Sequence, residues 1–174
     1  AGAIVTDDSE LANKIRSFAR HGGLIKGDHQ IEGINSRMDG LQAAFLLVKM
    51  KYIKEWTENR RNKASIYFDL LNNIPGITLP RETNGTSHVW HLYVIKHDKR
   101  DELSKFLKEK GIATSVNYPA ALPFLPAYKY LKHSIDQFPI AHSNQSKVLS
   151  IPMYPEITYD QQLFISDCIK DYCC

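Results

Sequence analysis

Residues 38–73 read MDGLQAAFLLVKMKYIKEWTENRRNKASIYFDLLNN, and this stretch decides the fold. It contains no proline and, after Gly40, no glycine. Apolar side chains recur in it at three- and four-residue steps: Leu41, Ala44, Phe45, Val48, Tyr52, Trp56, Ala64, Tyr67 and Leu71. This spacing predicts one long amphipathic helix, bent or broken near the polar residues 57–62. Because such a length exceeds what one small core requires, we expect the helix to bridge two packing units.

The segment before this helix predicts a strand, a helix and a loop. Residues 2–6 (GAIVT) form a short apolar run with β-branched residues, which predicts a strand. Asp8 or Ser9 then caps a predicted helix that ends at the glycine pair 22–23. Residues 24–36 show no period and predict a loop. The chain begins with Ala inside an apolar run, so we expect it to continue a longer protein.

Strands and helices alternate after the long helix. Strands are predicted at 77–79, 89–95, 112–116 and 148–151, and helices at 98–110, near Asn144 and from Thr158 onward. Such alternation indicates an α/β or α+β fold, in which helices pack on a small sheet.

Composition limits the class of protein. The 174 residues are 43% hydrophobic and 24% charged, which is enough for a packed core. No apolar window is long enough to cross a bilayer. The net charge of +3 is spread along the chain and does not by itself indicate nucleic-acid binding. The three cysteines all lie near the C-terminus without CxxC spacing, which favours a cytoplasmic protein over a disulfide framework. We expect neither a membrane nor nucleic acid as a partner.

Motifs for metal or nucleophilic chemistry are weak. His88 and His91 form an HxxH in a predicted strand, where residues three apart face opposite sides, so we expect no metal site there. Cys173 and Cys174 have no base nearby in the sequence, and no GxSxG is present. The basic run at residues 60–63 is better explained as the solvated face of a helix than as a nucleic-acid site.

The loop before the long helix brings together Asn35, Ser36 and Arg37. The free N–H groups and the dipole of a helix N-terminus favour anions, and a guanidinium is well suited to phosphate. The alternative is that Ser36 or Asp39 merely caps the helix while Arg37 is exposed. From local physics alone these two interpretations remain equal.

Five segments of the sequence belong together: GAIVTDDSELANKIRSFARHG (2–22), GINSRMDGLQAAFLLVKMKYIKEW (33–56), RRNKASIY (60–67), SHVWHLYVI (87–95) and VLSIPMYPEIT (148–158). In this order, and over nearly the whole chain, they resemble the DegT/DnrJ/StrS family of nucleotide-sugar aminotransferases. Members of that family are fold-type I enzymes that use pyridoxal 5′-phosphate (PLP).

The resemblance implies that this stretch is the C-terminal half of such an α/β enzyme. Residues 1–50 would be the end of the large PLP-binding domain with the start of the connecting helix, and residues 51–174 the small α/β domain. The lysine that forms a Schiff base with PLP would lie upstream, so the resemblance places no catalytic residue in this chain. We therefore expect the chain to be inactive alone and not to hold PLP by itself.

Specific residues carry over by position. The family's active site lies at the interface of a homodimer, where the Asn of the NSR segment contacts cofactor phosphate, which implies that role for Asn35. The Arg two residues later faces the nucleotide-sugar, which implies a substrate contact for Arg37. The small-domain turn, usually His-Tyr-Pro, reads Asn117-Tyr118-Pro119 here and implies that Asn117 and Tyr118 line the sugar side of the cleft.

The implied activity is transfer of an amino group, with glutamate as the expected donor, to a nucleotide-linked keto-sugar in polysaccharide or glycoside biosynthesis. The sequence departs from the family pattern at Gly40 and His142, where Glu is common, and at Pro123, where a second His is common. These changes leave the sugar and the aminated carbon open. A non-catalytic regulatory or sugar-binding relative of the same fold is the alternative.

Overall fold

The computed structural model describes residues 2–174, and the chain divides into two compact units, Ala1–Ile53 (unit 1) and Lys54–Cys174 (unit 2). Unit 1 holds two helices and a long loop, whereas unit 2 holds a small sheet with helices packed on it. The assignment of residues 1–50 and 51–174 to the large and small domains of a longer enzyme stays a prediction.

The two helices of unit 1 begin at aspartate caps. Helix α1 spans Ser9–Phe18, and the Asp8 carboxylate accepts the N–H groups of Glu10 and Leu11 at 2.9 and 3.0 Å. Helix α2 spans Gly40–Met50, and its cap is Asp39, which forms a reciprocal capping box with Gln42. Each carboxylate satisfies N–H groups that have no partner within the helix.

The predicted strand at residues 2–6 is wrong. These residues are irregular, and Ile4 and Val5 are 71% and 96% exposed. A strand exists only where a neighbouring strand pairs with its N–H and C=O groups, and no extended segment among the described residues pairs with this one. Without a partner strand, the β propensity of these residues does not suffice to form a strand.

The long helix breaks earlier than the polar pattern predicts. Helix α2 ends at Met50, and helix α3 spans Ile53–Leu71, so residues 57–62 are continuous helix. At the break, Lys51 and Tyr52 donate their N–H groups three residues back, to Val48 and Lys49, at 3.3 and 3.0 Å. This tighter bonding interrupts the regular i to i−4 ladder. The polar residues did not break the helix, because none of them is glycine or proline and glutamate and arginine favour the helix.

The loop between α1 and α2 is fixed by its own backbone. Ile34 and Ser36 donate to the carbonyls of Phe18 and Ala19, and His21 donates to Ile34, at 2.8–3.0 Å. Two glycines allow this close approach. A Cβ on Gly33 would lie 2.2 Å from Gly22 N, and Gly22 itself has φ +90°.

Unit 2 is built around one antiparallel strand pair. Strand β1 (Tyr93–Lys96) pairs with β2 (Val148–Ile151) in a register that sets Tyr93 opposite Ile151. The predicted strands at 77–79 and 112–116 are reduced to single bridges, Thr78 to Lys96 and Ser115 to Ser150. The strand predicted at 89–95 begins only at Tyr93, because Trp90 has φ +49° and cannot continue an extended chain.

Three helices complete unit 2. They are α4 (Arg100–Glu109), α5 (Pro139–Asn144) and α6 (Tyr159–Cys173), with 3-10 turns at Leu122–Phe124, Pro126–Leu131 and Ile135–Gln137. The α6 cap is Thr158, in a capping box with Gln161. No helix within residues 2–174 combines the length and apolar character that a membrane span needs.

The core of unit 2 joins α3, α4 and α6 to both strands. Its fully buried members include Tyr67, Leu71, Tyr93, Ile95, Leu103, Leu107, Leu149, Ile157 and Ile169. Two polar bonds cross this core. The Tyr67 hydroxyl donates to the Pro152 carbonyl at 2.9 Å, and the Gln162 amide donates to the Lys63 carbonyl at 2.9 Å.

Replacing Tyr67 by Phe is expected to destabilise the protein by about 1–2 kcal/mol, because the Pro152 carbonyl loses its buried donor. Tyr93 is the matched control, since its buried hydroxyl has no hydrogen-bond partner among the described residues. Urea denaturation should therefore show Tyr93→Phe at or above wild-type stability. Equal losses in the two variants would contradict this assignment.

The same two tyrosines predict a fall in stability at high pH. Burial raises the pKa of Tyr67 and of Tyr93 above the ordinary 10.0, with smaller contributions from Tyr154 and Asp69 respectively. Above pH 10 the unfolded chain loses these protons while the folded chain keeps them, so the free energy of unfolding decreases as pH rises. Denaturation curves between pH 9 and about 11 should show a shallower fall in the double variant Tyr67→Phe/Tyr93→Phe than in wild type.

Gly33→Ala is expected to open the loop between α1 and α2, at a cost of about 2–4 kcal/mol, because the new Cβ would meet backbone atoms. Gly40→Ala is the control, since a Cβ there meets nothing within 4 Å and alanine favours the helix. Amide exchange at Ser36 and His21 reports the difference. Unchanged protection in Gly33→Ala would show that the glycine contact is dispensable.

Candidate functional site

Asn35 and Arg37 lie together on the loop that precedes α2. Arg37 Nε donates to Asn35 Oδ1 at 3.2 Å, and both side chains are exposed. The backbone holds them in place through the Arg20–Asn35 bridge and the Ser36 N–H to Ala19 carbonyl bond of 3.0 Å. The pair is therefore oriented by a hydrogen-bonded loop rather than by side-chain packing.

Arg37 lines a basic cleft of about 480 Å³ within unit 1. The other basic side chains along it belong to Arg20, His21, Lys26 and His29, and none of its lining residues in the described chain is acidic. Three permanent positive charges around one cleft create a positive potential that attracts anions. His29 Nδ1 donates to the His21 carbonyl at 2.9 Å, which leaves Nε2 of a neutral ring as an acceptor.

The helix N-terminus is not the source of this anion preference. The Asp39 carboxylate already accepts the Gln42 N–H at 2.9 Å, whereas Arg37 remains exposed. The sequence left two interpretations equal: an anion site at the helix N-terminus, or a cap at Ser36 or Asp39 with Arg37 exposed. The structure has the cap at Asp39 and not at Ser36. The basic cleft is a separate feature that the motif did not reveal.

Asn117 and Tyr118 lie in unit 2, beside β2. Asn117 Oδ1 accepts the Ser150 hydroxyl at 3.0 Å, which ties the turn to the strand, whereas Tyr118 is 73% exposed. Together they line a mainly apolar cavity of about 320 Å³ that also includes Pro123 and Val148. The structure thus brings Asn117 and Tyr118 together, and brings Asn35 and Arg37 together, in two different units.

The positions that depart from the family pattern occupy ordinary places. His142 lies on α5 with its ring edge-on to Phe124 at 5.5 Å, and Gly40 is the first residue of α2. Pro123 contributes an apolar wall to the Asn117–Tyr118 cavity, where an imidazole would have offered a hydrogen bond. The wall next to Tyr118 is therefore poorer in polar groups than a His at this position would make it.

The histidine motif is used structurally. Because β1 begins at Tyr93, His88 and His91 are not in a strand, and the argument from opposite strand faces is wrong. His88 Nδ1 accepts the Trp90 N–H at 2.7 Å, and the two rings lie 4.3 Å apart. Among residues 2–174 no group of three or more His, Cys, Asp or Glu side chains could hold a metal ion.

Cys168 and Cys173 are not activated. Cys168 is buried and Cys173 is half-buried, and burial raises the pKa of both thiols. A thiol with a raised pKa is a poor nucleophile at neutral pH.

Sequence reasoning missed the basic residues around Arg37. Lys26 and His29 lie in the aperiodic loop and carry no motif of their own, and only the folded loop places them along one cleft with Arg20. The available signal was the density of basic residues and glycines in RHGGLIKGDH, residues 20–29.

Comparison with known proteins shows the family to which the chain belongs. The profile of the DegT/DnrJ/EryC1/StrS aminotransferase family matches residues 1–170. The chain is 42% identical to a protein of Geobacillus stearothermophilus named pleiotropic regulatory protein, over 98% of this chain and 46% of that protein. It is 35% identical to the dTDP-3-amino-3,4,6-trideoxy-alpha-D-glucose transaminase of Streptomyces venezuelae, over 98% of this chain and 45% of that enzyme.

A solved structure agrees with the sequence comparison. The crystal structure of S. venezuelae DesV in complex with a ketimine intermediate matches with a TM-score of 0.89 and 34% identity, over 97% of this chain and 46% of that one. The chain thus spans just under half the length of the relatives that it matches. The predicted fold class, the C-terminal part of a fold-type I aminotransferase, is confirmed. The chain belongs to the DegT/DnrJ/EryC1/StrS aminotransferase family.

Proposed function

We propose that this chain is the C-terminal half of a PLP-dependent aminotransferase that transfers an amino group from glutamate to a nucleotide-linked keto-sugar. The observation that carries the proposal is the basic cleft beside Asn35 and Arg37, in a chain that belongs to this family. PLP and a nucleotide diphosphate both present phosphate oxygens, which this cleft attracts.

The residues present fit a phosphate-bearing cofactor. Asn35 offers two amide N–H donors, and its Oδ1 already accepts from Arg37, so its amide nitrogen is oriented away from that bond. Arg37 keeps four further guanidinium N–H groups for an anion. When bound, PLP supplies the electron sink that makes removal of an α-proton feasible.

In this proposal each residue binds or orients a reactant. Asn35 holds a cofactor phosphate oxygen, and Arg37 holds the diphosphate or sugar of the substrate, which fixes the reacting carbon in position. Tyr118 offers an exposed hydroxyl to the sugar side, and Asn117 shapes the turn through Ser150. The catalytic lysine would come from upstream sequence, so the chain alone would be inactive.

A large apolar surface on unit 1 supports a homodimer with the active site at its interface. The α2 side chains of Leu41, Phe45, Leu47, Val48 and Met50 are all more than half exposed. No large hydrophobic side chain of residues 2–53 is buried within the chain. An apolar face of this extent is typical of surfaces that other protein covers. The remainder of the enzyme and a second subunit are the occupants that the proposal implies.

Arg37→Ala in the full-length enzyme is expected to weaken nucleotide-sugar binding about tenfold or more, because a charge-assisted hydrogen bond to phosphate is lost. Calorimetric titration with the nucleotide-sugar measures this directly. Arg16→Ala is the control, since Arg16 lies on α1 and lines none of the basic cleft. Substrate affinity equal to wild type in Arg37→Ala would contradict the assignment of Arg37 as a substrate contact.

The residue at the Schiff-base position upstream of this chain distinguishes the proposal from its alternative. The name of the G. stearothermophilus relative favours a second candidate, a regulatory relative of the same fold. Sequencing the reading frame upstream of Ala1 should reveal a lysine, with an aspartate and an aromatic residue further upstream. Another residue in place of the lysine would favour the regulatory or sugar-binding alternative.

A further inference from the structure

A cavity of about 550 Å³ in unit 2 has no role in the proposed function. One wall is a single face of α3, formed by residues at positions 58, 61, 65 and 68, which follow helical spacing. The other wall is the segment from Pro80 to Tyr93. The volume falls within the range of roughly 300–1,000 Å³ that is typical of small-molecule sites.

Aromatic rings line the inner part of this cavity. Trp90 and Tyr93 are 9% and 1% exposed and stack with their ring centroids 5.5 Å apart, and Phe68 lies beside them. The backbone N–H of Trp90 donates to His88 Nδ1 at 2.7 Å and holds this residue at φ +49°, while the His88 ring packs against the indole with the centroids 4.3 Å apart. A flat or apolar group of a ligand could therefore rest on a rigid aromatic surface.

One arginine at the cavity holds its walls together. Arg61 Nε donates to the His88 carbonyl at 3.2 Å and Nη2 to the Ser87 hydroxyl at 2.8 Å, while Nη1 pairs with Glu58 at 3.2 Å. All three guanidinium nitrogens are thus engaged, and they join α3 to the opposite segment. Arg61 serves as a positioning residue and leaves ligand contacts to others.

Two charged groups along the cavity have bonding capacity to spare. Arg81 is exposed and makes no ion pair or hydrogen bond with the described residues. Glu82 is also exposed and accepts the His88 N–H at 2.8 Å through Oε1, which leaves its second oxygen for a ligand.

We propose that this cavity binds a zwitterion with an aromatic side chain, that is, an aromatic α-amino acid. Arg81 pairs with the carboxylate, the free oxygen of Glu82 pairs with the ammonium group, and the ring rests on Trp90 and Phe68. A simple anion would meet Glu82, and a simple cation would meet Arg81. The zwitterion satisfies both charges at once.

The test is an NMR titration of the full chain with L-phenylalanine, followed through the amide signals of Ser87, Trp90 and Tyr93. Phenylacetate, which lacks the ammonium group, and phenethylamine, which lacks the carboxylate, are the matched ligands. We expect saturable shifts with phenylalanine and at least about tenfold weaker binding of each single-charge ligand.

Two charge variants assign the ends of the ligand. Arg81→Gln should weaken phenylalanine and phenylacetate but leave phenethylamine unchanged. Glu82→Gln, whose amide oxygen can still accept the His88 N–H, should weaken phenylalanine and phenethylamine but leave phenylacetate unchanged. Lys108→Gln on α4 is the control and should change none of the three, since Lys108 does not line the cavity.

The absence of saturable shifts with phenylalanine overturns the proposal. Identical responses of all three ligands to both charge variants also overturn it, because Arg81 and Glu82 would then not bind the carboxylate and the ammonium group separately.

Discussion

The pairing of β1 with β2 is the constraint on which unit 2 depends. Two four-residue strands would be marginal in isolation, and they persist because α3, α4 and α6 cover their apolar side chains. The candidate site residues of unit 2 contact this strand pair directly. Ser150 of β2 anchors Asn117 and bridges to Ser115, while Tyr93 at the start of β1 reaches the aromatic cavity. Even the buried Arg100 donates to the Val148 carbonyl at 2.9 Å, which fixes α4 to the strand end.

The interactions that order unit 1 differ from those that order unit 2. Its loop is ordered by backbone hydrogen bonds and by glycines that permit close approach, not by a buried core. The exposed apolar side chains of α2 are unfavourable in water, and the homodimer proposed above would cover them.

The candidate anion site shows how capping and binding can be separated. An aspartate at a helix N-terminus stabilises the helix but also neutralises the positive end of its dipole. Here Asp39 fills that role, and the charge available to a phosphate comes from arginine and lysine side chains along the cleft. The guanidinium of Arg37 is held by Asn35 without being neutralised, which leaves its charge available to a ligand.

Much of the architecture could be read from the sequence. The first cap, predicted at Asp8 or Ser9 and found at Asp8, is specified by neighbouring residues. The same holds for the helix from Thr158 and the strand at 148–151, so local patterns predicted all three. The family and the fold class followed from several segments in a fixed order. The failures share a cause: residues 2–6, 77–79 and 112–116 have strand propensity, but pairing partners decide whether a strand forms.

Residues distant in the sequence meet only in the folded chain, and the tertiary structure alone decided those features. The break at Lys51–Tyr52 depends on backbone bonding that the apolar period does not encode. The basic cleft gathers side chains from an aperiodic loop, and the cavity of unit 2 joins one face of α3 to the segment after Pro80. The sequence by itself determined the family and the fold class, and it singled out Asn35, Arg37, Asn117 and Tyr118 as candidate site residues, whose roles stay predictions. Which groups surround them was decided by three-dimensional packing, because contacts between remote residues leave no periodic signal along the chain.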